Sequence, residues 1–295
     1  MDDPVIIQLR ELSRISDDLT VELGRLSNQL REQVHRLLPQ LLAVCAGGDE
    51  PWLWDLLALV AGGAEPARIR PTQVGRILKN HRIRRLNVDE VLALLRQQAP
   101  WTTPGTQLAV RAHIGLLLPR LRVALEQSRD CDKQIKLLLE DLASRPPLEG
   151  EIREHRDVSI LQSLPGAGKT VVATMLAEAS QPLAERDYHA LRAQAGIAPV
   201  TKSSGKRSRR NATVSMRYSC NGRLRDAFFY WARSAINEDD PSRAYYAALR
   251  QRGHSFGRAL RSVADRLLRI LIAMLEGCTL FDPNRAAKRL VVVAP

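Results

Sequence analysis

The sequence has few aromatic residues and few cysteines. Phe, Trp and Tyr make up 4% of its 295 residues. The four cysteines, Cys45, Cys131, Cys220 and Cys278, lie far apart and form no Cys-x-x-Cys or Cys/His cluster. This spacing predicts no metal site. The simplest expectation is a reduced, cytoplasmic environment.

Long hydrophobic runs are also absent. The apolar run from Leu56 to Gly63 is too short and too rich in glycine to cross a bilayer. The first residues, MDDPVIIQLRELSR, are charged and do not resemble a signal peptide. The sequence therefore predicts a chain with no membrane partner.

Aliphatic residues recur at helical spacing and predict a mainly α fold. Residues 6–41 read as one long helix, whose narrow apolar seam comprises Ile15, Leu19, Leu23, Leu26, Leu30, Val34 and Leu37. A second long helix is predicted over about 107–144. A long coiled-coil helical hairpin is expected from the pair, and homo-oligomerisation through the coiled coil follows as a hypothesis. Shorter helices are predicted between them, with a cluster of basic residues at positions 79–85.

The segment SRPPLEGE, residues 144–151, carries two prolines, a glycine and no apolar periodicity, which is typical of a linker. The predicted organisation is therefore a coiled-coil and helical region over 1–145 and a linker over 146–152. A compact helical domain is predicted over 153–277, followed by a tail over 278–295.

Residues 161–179, LQSLPGAGKTVVATMLAEA, contain Gly168-Lys169-Thr170 but are not a Walker A loop. That loop needs a glycine where this chain has Ser163, and no buried strand precedes it. A helix-hairpin-helix motif fits better, with backbone amides at Gly166 and Gly168 and the cation of Lys169 holding a phosphate. A plain helical turn packed on the core is the alternative.

The densest charge lies between Thr201 and Arg225, which holds eight basic residues and no acid. They are Lys202, Lys206, Arg207, Arg209, Arg210, Arg217, Arg223 and Arg225. Together with the formal net charge of +12, this segment predicts a nucleic-acid partner. Ser203 and Ser204 lie within it. A serine in such a loop either donates a hydrogen bond to phosphate or acts as a nucleophile whose alkoxide the cations stabilise.

The segments LQSLPGAGKTVVATMLAEA, AGIAPVTKSSGKRSRRN, NGRLRDAFFYWA and RAYYAALRQRGHSFGRALRSVADRLLRIL resemble, in this order, the C-terminal domain of the insertion sequence 110/116/902 transposases. The resemblance covers about residues 155–275. It implies a DNA transposase whose nucleophile is the serine directly before the glycine, Ser204, with Ser203 as the alternative. It also implies DNA element ends and target as partners, together with a structured non-coding bridge RNA.

The family's metal-binding, RuvC-like domain with its DEDD acids should precede the coiled coil, but no matching acidic segment occurs in this sequence. The Mg²⁺ that the resemblance implies would belong to that domain. The expectation is a truncated form, or one half of a two-chain enzyme, that binds DNA without recombining it alone. The competing hypothesis is a non-catalytic helix-hairpin-helix protein that binds DNA or RNA.

Overall fold

A computed structural model describes residues 3–97, 103–145, 155–202 and 213–283. It confirms the mainly α fold and adds one two-stranded sheet. The helices are α1 (Pro4–Leu37), α2 (Pro51–Ala61), α3 (Pro71–Asn80), α4 (Val88–Arg96), α5 (Pro104–Ser144), α6 (Asp157–Ser163), α7 (Lys169–Glu178), α8 (Ser180–Ala184), α9 (Tyr188–Gln194), α10 (Gly222–Glu238), α11 (Asp240–Gln251) and α12 (Phe256–Glu276). The strands are β1 (Val200–Lys202) and β2 (Thr213–Ser215).

The chain divides into two compact units. The central unit is Ile15–Asp132, and the terminal unit combines Met1–Arg14 with Lys133–Pro295. The sequence-based division was simpler, with one boundary at residues 146–152, which lie outside the described residues. The first turns of α1 belong with the C-terminal helices because they bond to α7: Arg10 Nε donates to the carbonyl of Ala177 over 2.7 Å.

The core of the central unit comes from five helices. Leu26, Leu30 and Val34 of α1 are fully buried together with apolar residues of α2, α3, α4 and α5. Trp54 of α2 is also buried there, and its indole N–H donates to the carbonyl of Gly48 over 2.9 Å. This core fixes α3 and α4 with one face each against apolar neighbours.

The predicted seam of α1 matches the buried face only in part. Leu26, Leu30 and Val34 are buried, but the Ile15 side chain is 48% exposed. Ser13 and Ser16 are buried instead, and the Ser13 hydroxyl lies 3.4 Å from that of Thr174 on α7. A hydroxyl partner lets a polar residue occupy a buried helix position. The coiled-coil hairpin of α1 and α5 stays a prediction.

The terminal unit is built around α10. This helix packs against α7, α11 and α12, and buries Phe228 and Trp231. Helix α12 presents an apolar stripe, with Leu260, Val263 and Leu267 among its buried residues. The packing holds the start of α10, in which the basic segment ends, beside the end of α7.

Candidate nucleic-acid interface

The basic segment is held at both ends by a short antiparallel ladder. Val200 pairs with Ser215, Thr201 with Val214, and Lys202 with Thr213. Paired residues of an antiparallel ladder have Cα atoms about 5 Å apart, so Lys202 and Thr213 lie close together. The predicted nucleophile Ser204 and the cations Lys206, Arg207, Arg209 and Arg210 lie between them in sequence, outside the described residues. Lys202 is the last residue of β1.

The two ends of this hairpin are fixed to the end of α9. Gly196 follows α9 with φ +65, as expected for a residue that ends a helix. A Cβ at Gly196 would lie 2.9 Å from the Cys220 sulfur, so the glycine is needed for a close approach. The backbone N–H of Asn221 donates to the carbonyl of Gln194 over 2.8 Å. The chain that enters β1 therefore packs against the chain that leaves β2.

Glu178, at the end of α7, has a largely covered side chain that links this point to two other elements. Its carboxylate accepts a hydrogen bond of 2.8 Å from Asn221 Nδ2 and lies 3.2 Å from Arg223 Nε. Arg14 Nε on α1 approaches the same carboxylate at 3.3 Å. Asn221 Oδ1 in turn accepts from the backbone N–H of Leu224, which makes Asn221 the N-cap of α10. We call these four side chains the Glu178 network: Arg14, Glu178, Asn221 and Arg223.

The pKa of Glu178 reflects the balance within this network. Burial alone would raise the pKa of the carboxyl group, whose side chain is only 8% exposed. The hydrogen bond from Asn221 and the charges of Arg14 and Arg223 outweigh burial, so the pKa lies below its ordinary value. Glu178 is therefore an anion at neutral pH, and its charge holds the start of α10.

The described cations of the segment point in different directions. Arg223 faces the interior, because its Nη2 donates to the Ser13 hydroxyl over 2.9 Å while its Nε faces Glu178. Arg225 is partly exposed and pairs with Asp226 over 2.9 Å. Arg217 follows β2, and its buried Nε has no hydrogen-bond partner among the residues described. Arg217 and Arg225 therefore fit the predicted role better than Arg223, which has a structural one.

The turn predicted to contact phosphate connects α6 and α7. Gly166 has φ +73, and a Cβ there would meet backbone atoms of α10, with the Ala235 nitrogen at only 2.4 Å. Its N–H already donates to Glu238 over 2.8 Å. The glycine is thus explained by packing of the turn on α10. Phosphate binding at Gly166 stays a prediction, in which phosphate would replace the Glu238 carboxylate.

Gly168 and Lys169 are placed differently from Gly166. Gly168 is the N-cap of α7, with φ −65 and nothing within 4 Å of an added Cβ. Lys169 is the exposed first residue of α7. The two residues thus lie at an open helix start, where a phosphate would meet the positive end of the helix dipole. Their roles in nucleic-acid binding, like the helix-hairpin-helix function itself, stay predictions.

Neither a metal cluster nor a membrane span is found in the described part of the chain. Over 3–97, 103–145, 155–202 and 213–283, no three His, Cys, Asp or Glu side chains are grouped to hold a metal ion. The donor set present does not fit the Mg²⁺ that the resemblance implies, and no chemical step is assigned to a metal bound by these residues. None of the described helices is long and apolar enough to span a membrane.

Sequence reasoning missed the Glu178 network. Asn221 before a helix is a recognisable N-cap signal. Glu178 carries no such signal because its partner Asn221 is 43 residues away in sequence. Arg14 and Ser13 were interpreted only as part of a coiled-coil helix.

A basic hairpin and an open helix start are each features of proteins that bind phosphate-rich partners. The particular family follows from comparison. Residues 158–247 match the family described as Transposase IS116/IS110/IS902. The resemblance seen in the sequence is confirmed.

Three relatives extend the similarity over most of the chain. A mini-circle protein of the element IS117 from Streptomyces coelicolor is 28% identical over 96% of this chain and 66% of its own length. The IS110 43.6 kDa protein of the same species is 27% identical over 97% of this chain and 67% of its own. The IS116 44.8 kDa protein of Streptomyces clavuligerus is 28% identical, over 95% and 66%. The chain thus spans about two thirds of the length of these relatives.

Proposed function

We propose that this chain is the DNA-strand-transfer part of a transposase, with Ser204 as its nucleophile. The observation that supports the proposal is the β1–β2 ladder within the residues matched to the transposase family, because it brings the residues on either side of segment 203–212 together. Ser204 is two positions beyond Lys202, at which the ladder ends.

The proposed step is a transesterification. The Ser204 hydroxyl loses its proton and its oxygen bonds to phosphorus, while the bond from phosphorus to one DNA sugar oxygen breaks and that oxygen takes up a proton. The phosphodiester is conserved as a serine–DNA ester. A hydroxyl of a second DNA end reverses the step and releases the serine. No redox partner or nucleotide triphosphate is needed.

Cations around the loop would stabilise the charge that develops on the phosphate oxygens. Lys202, Lys206, Arg207, Arg209 and Arg210 are the candidates within the hairpin, and Arg217 and Arg225 follow it in sequence. By analogy with single-donor deletions at other enzymes, removing one well-placed cation would slow the reaction by about 100- to 1,000-fold. A bridge RNA, a metal-binding partner domain and homo-oligomerisation belong to the proposal as further expectations drawn from the resemblance.

The competing function is nucleic-acid binding without chemistry. The engagement of Arg223 with Glu178 and Ser13 favours it, because one of the eight predicted cations serves the fold. The two functions differ in whether a covalent product forms.

A trapping experiment separates them. Labelled duplex DNA that contains bridging phosphorothiolate linkages has a good leaving group, so a serine ester accumulates once formed. We expect the wild-type chain and a Ser203→Ala variant to give a labelled band on a denaturing gel, and Ser204→Ala to give none while binding DNA equally well. Full binding without any adduct in the wild type would support the non-catalytic alternative.

A further inference from the structure

A second cationic surface lies in the central unit, around helix α3. Residues 66–86 contain seven Lys and Arg residues and no acid. Arg85 pairs with Glu50. The other six cations are exposed, and within the described chain none of them pairs with a carboxylate: Arg68, Arg70, Arg76, Lys79, Arg82 and Arg84. We call this set, with the exposed side of α3, the α3 surface.

Helix α3 has two different sides. Val74 and Leu78 are buried in the core of the central unit. The residues on the opposite side are exposed, and helical spacing places them together: Thr72, Arg76, Lys79 and Asn80. The helix is 10 residues long, which corresponds to about 15 Å. A polar side of this length, on a helix held by its apolar side, is available to a partner.

The ends of α3 are fixed, which makes the surface a rigid one. At the start, Gln73 Oε1 accepts from the backbone N–H of Arg70 over 3.0 Å. At the end, His81 Nε2 lies 2.7 Å from Asp55 of α2, and the backbone N–H of Ile83 donates to the carbonyl of Leu78 over 2.9 Å. Rigid elements position contacts to a partner better than loops do.

Arg82 occupies a position that favours glycine. Directly after the helix cap it adopts φ +54, in the left-handed region that L side chains disfavour. Helices frequently end with glycine at this position. An exposed arginine there is not explained by the fold, because glycine would adopt the same backbone with less strain.

We propose that the α3 surface binds duplex DNA in its major groove and reads sequence there. Arg and Asn are the side chains that bind guanine and adenine edges through paired hydrogen bonds, and Arg76 and Asn80 lie on the same exposed side. The surrounding cations contact the phosphates. The major groove of duplex RNA is too narrow for a helix. Residues 66–86 contain no Phe, Tyr or Trp on which unpaired bases could stack, and their one imidazole, that of His81, lies 2.7 Å from the Asp55 carboxylate. This inference does not depend on the serine chemistry.

The test is selection of 20-bp duplexes from a random pool by the full-length chain, followed by fluorescence anisotropy. We expect a selected duplex to bind at least about tenfold tighter than a shuffled one, and Arg76→Ala or Asn80→Ala to lower that preference by about 5- to 150-fold, or to abolish it. Arg82→Gly should weaken the binding of both duplexes alike. It should reduce the slope of log affinity against log salt concentration by about one in magnitude, without lowering the thermal midpoint of unfolding.

Arg25→Ala is the matched control, because Arg25 is an exposed arginine of the central unit on α1, outside residues 66–86. It should change neither the preference nor the fold. The proposal is overturned if no duplex is enriched, or if Arg76→Ala and Arg25→Ala have the same effect. It is also overturned if hairpin RNA or single-stranded DNA competes better than duplex DNA. None of these outcomes bears on the Ser204 adduct, so the two proposals fail separately.

Discussion

Replacing Glu178 by glutamine removes the charge of the Glu178 network and keeps its shape. The amide oxygen can still accept from Asn221, but the charged contacts to Arg223 at 3.2 Å and Arg14 at 3.3 Å are lost. The contact to Arg223 is an ion pair, and removing one partner of a fully buried pair costs about 3–5 kcal/mol; the cost is smaller here because the Arg223 side chain is 25% exposed. The contact to Arg14 contributes less than about 1 kcal/mol, because that side chain is 46% exposed. The expected loss is about 2–4 kcal/mol at neutral pH.

Hydrogen exchange measured by mass spectrometry locates this loss. Amides at the start of α10 should exchange at least about 30-fold faster in Glu178→Gln, since each 1.4 kcal/mol corresponds to a factor of ten. A peptide from α2 in the central unit serves as the internal reference. Glu185→Gln is the matched variant, because Glu185 is an exposed glutamate whose carboxylate accepts a hydrogen bond from Gln181 Nε2. Its exchange should match that of the wild type.

The same substitution predicts a pH dependence. Because the pKa of Glu178 is lowered in the folded chain, its contribution is fully present above the ordinary glutamate value of 4.5. It is lost as the pH falls through the folded pKa. The difference between wild type and Glu178→Gln should therefore shrink below pH 4.5. Equal exchange in Glu178→Gln and Glu185→Gln at pH 7, or a difference that persists unchanged in acid, would refute this reasoning.

Two further predictions concern the α6–α7 turn and the basic loop. Gly166→Ala should destabilise the chain by about 2–5 kcal/mol, because the new Cβ meets the α10 backbone at a positive φ. Gly168→Ala should cost at most about 1 kcal/mol, because its new Cβ meets nothing within 4 Å and the substitution only replaces one N-cap residue by a weaker one. Thermal midpoints check this pair, and equal shifts would contradict it. DNA affinity should fall steeply with salt, with a log–log slope approaching about −4.5 if five phosphates are neutralised by the hairpin cations. The five cations are Lys202, Lys206, Arg207, Arg209 and Arg210. A titration of DNA affinity against salt concentration checks this, and an affinity that does not change with salt would exclude the electrostatic account.

Much of the fold could be predicted because helices are specified locally. Aliphatic spacing predicted the long helices. The buried side of α1 was predicted only in part. Ile15 is exposed and Ser13 is buried because a hydroxyl partner on α7 outweighs hydrophobicity at that position. No periodicity within α1 carries that information.

The candidate site was predicted as a set of residue types, without their arrangement. Charge density identified the segment from Thr201 to Arg225 as the part that meets a polyanion. Charge density alone does not distinguish the arginines that follow residue 212, which are Arg217, Arg223 and Arg225. The contacts separate them: Arg223 is bound to Glu178, while Arg225 remains partly exposed beside Asp226.

The sequence by itself determined the helical class, the family resemblance and the concentration of positive charge, since each depends on composition or on short-range spacing. The tertiary structure alone decided which glycine is required by packing, which arginine serves the fold, and that Glu178 fixes the start of α10. It also showed that α3 exposes its polar side. These features depend on contacts between residues that are far apart in sequence, and a local sequence pattern does not specify such contacts.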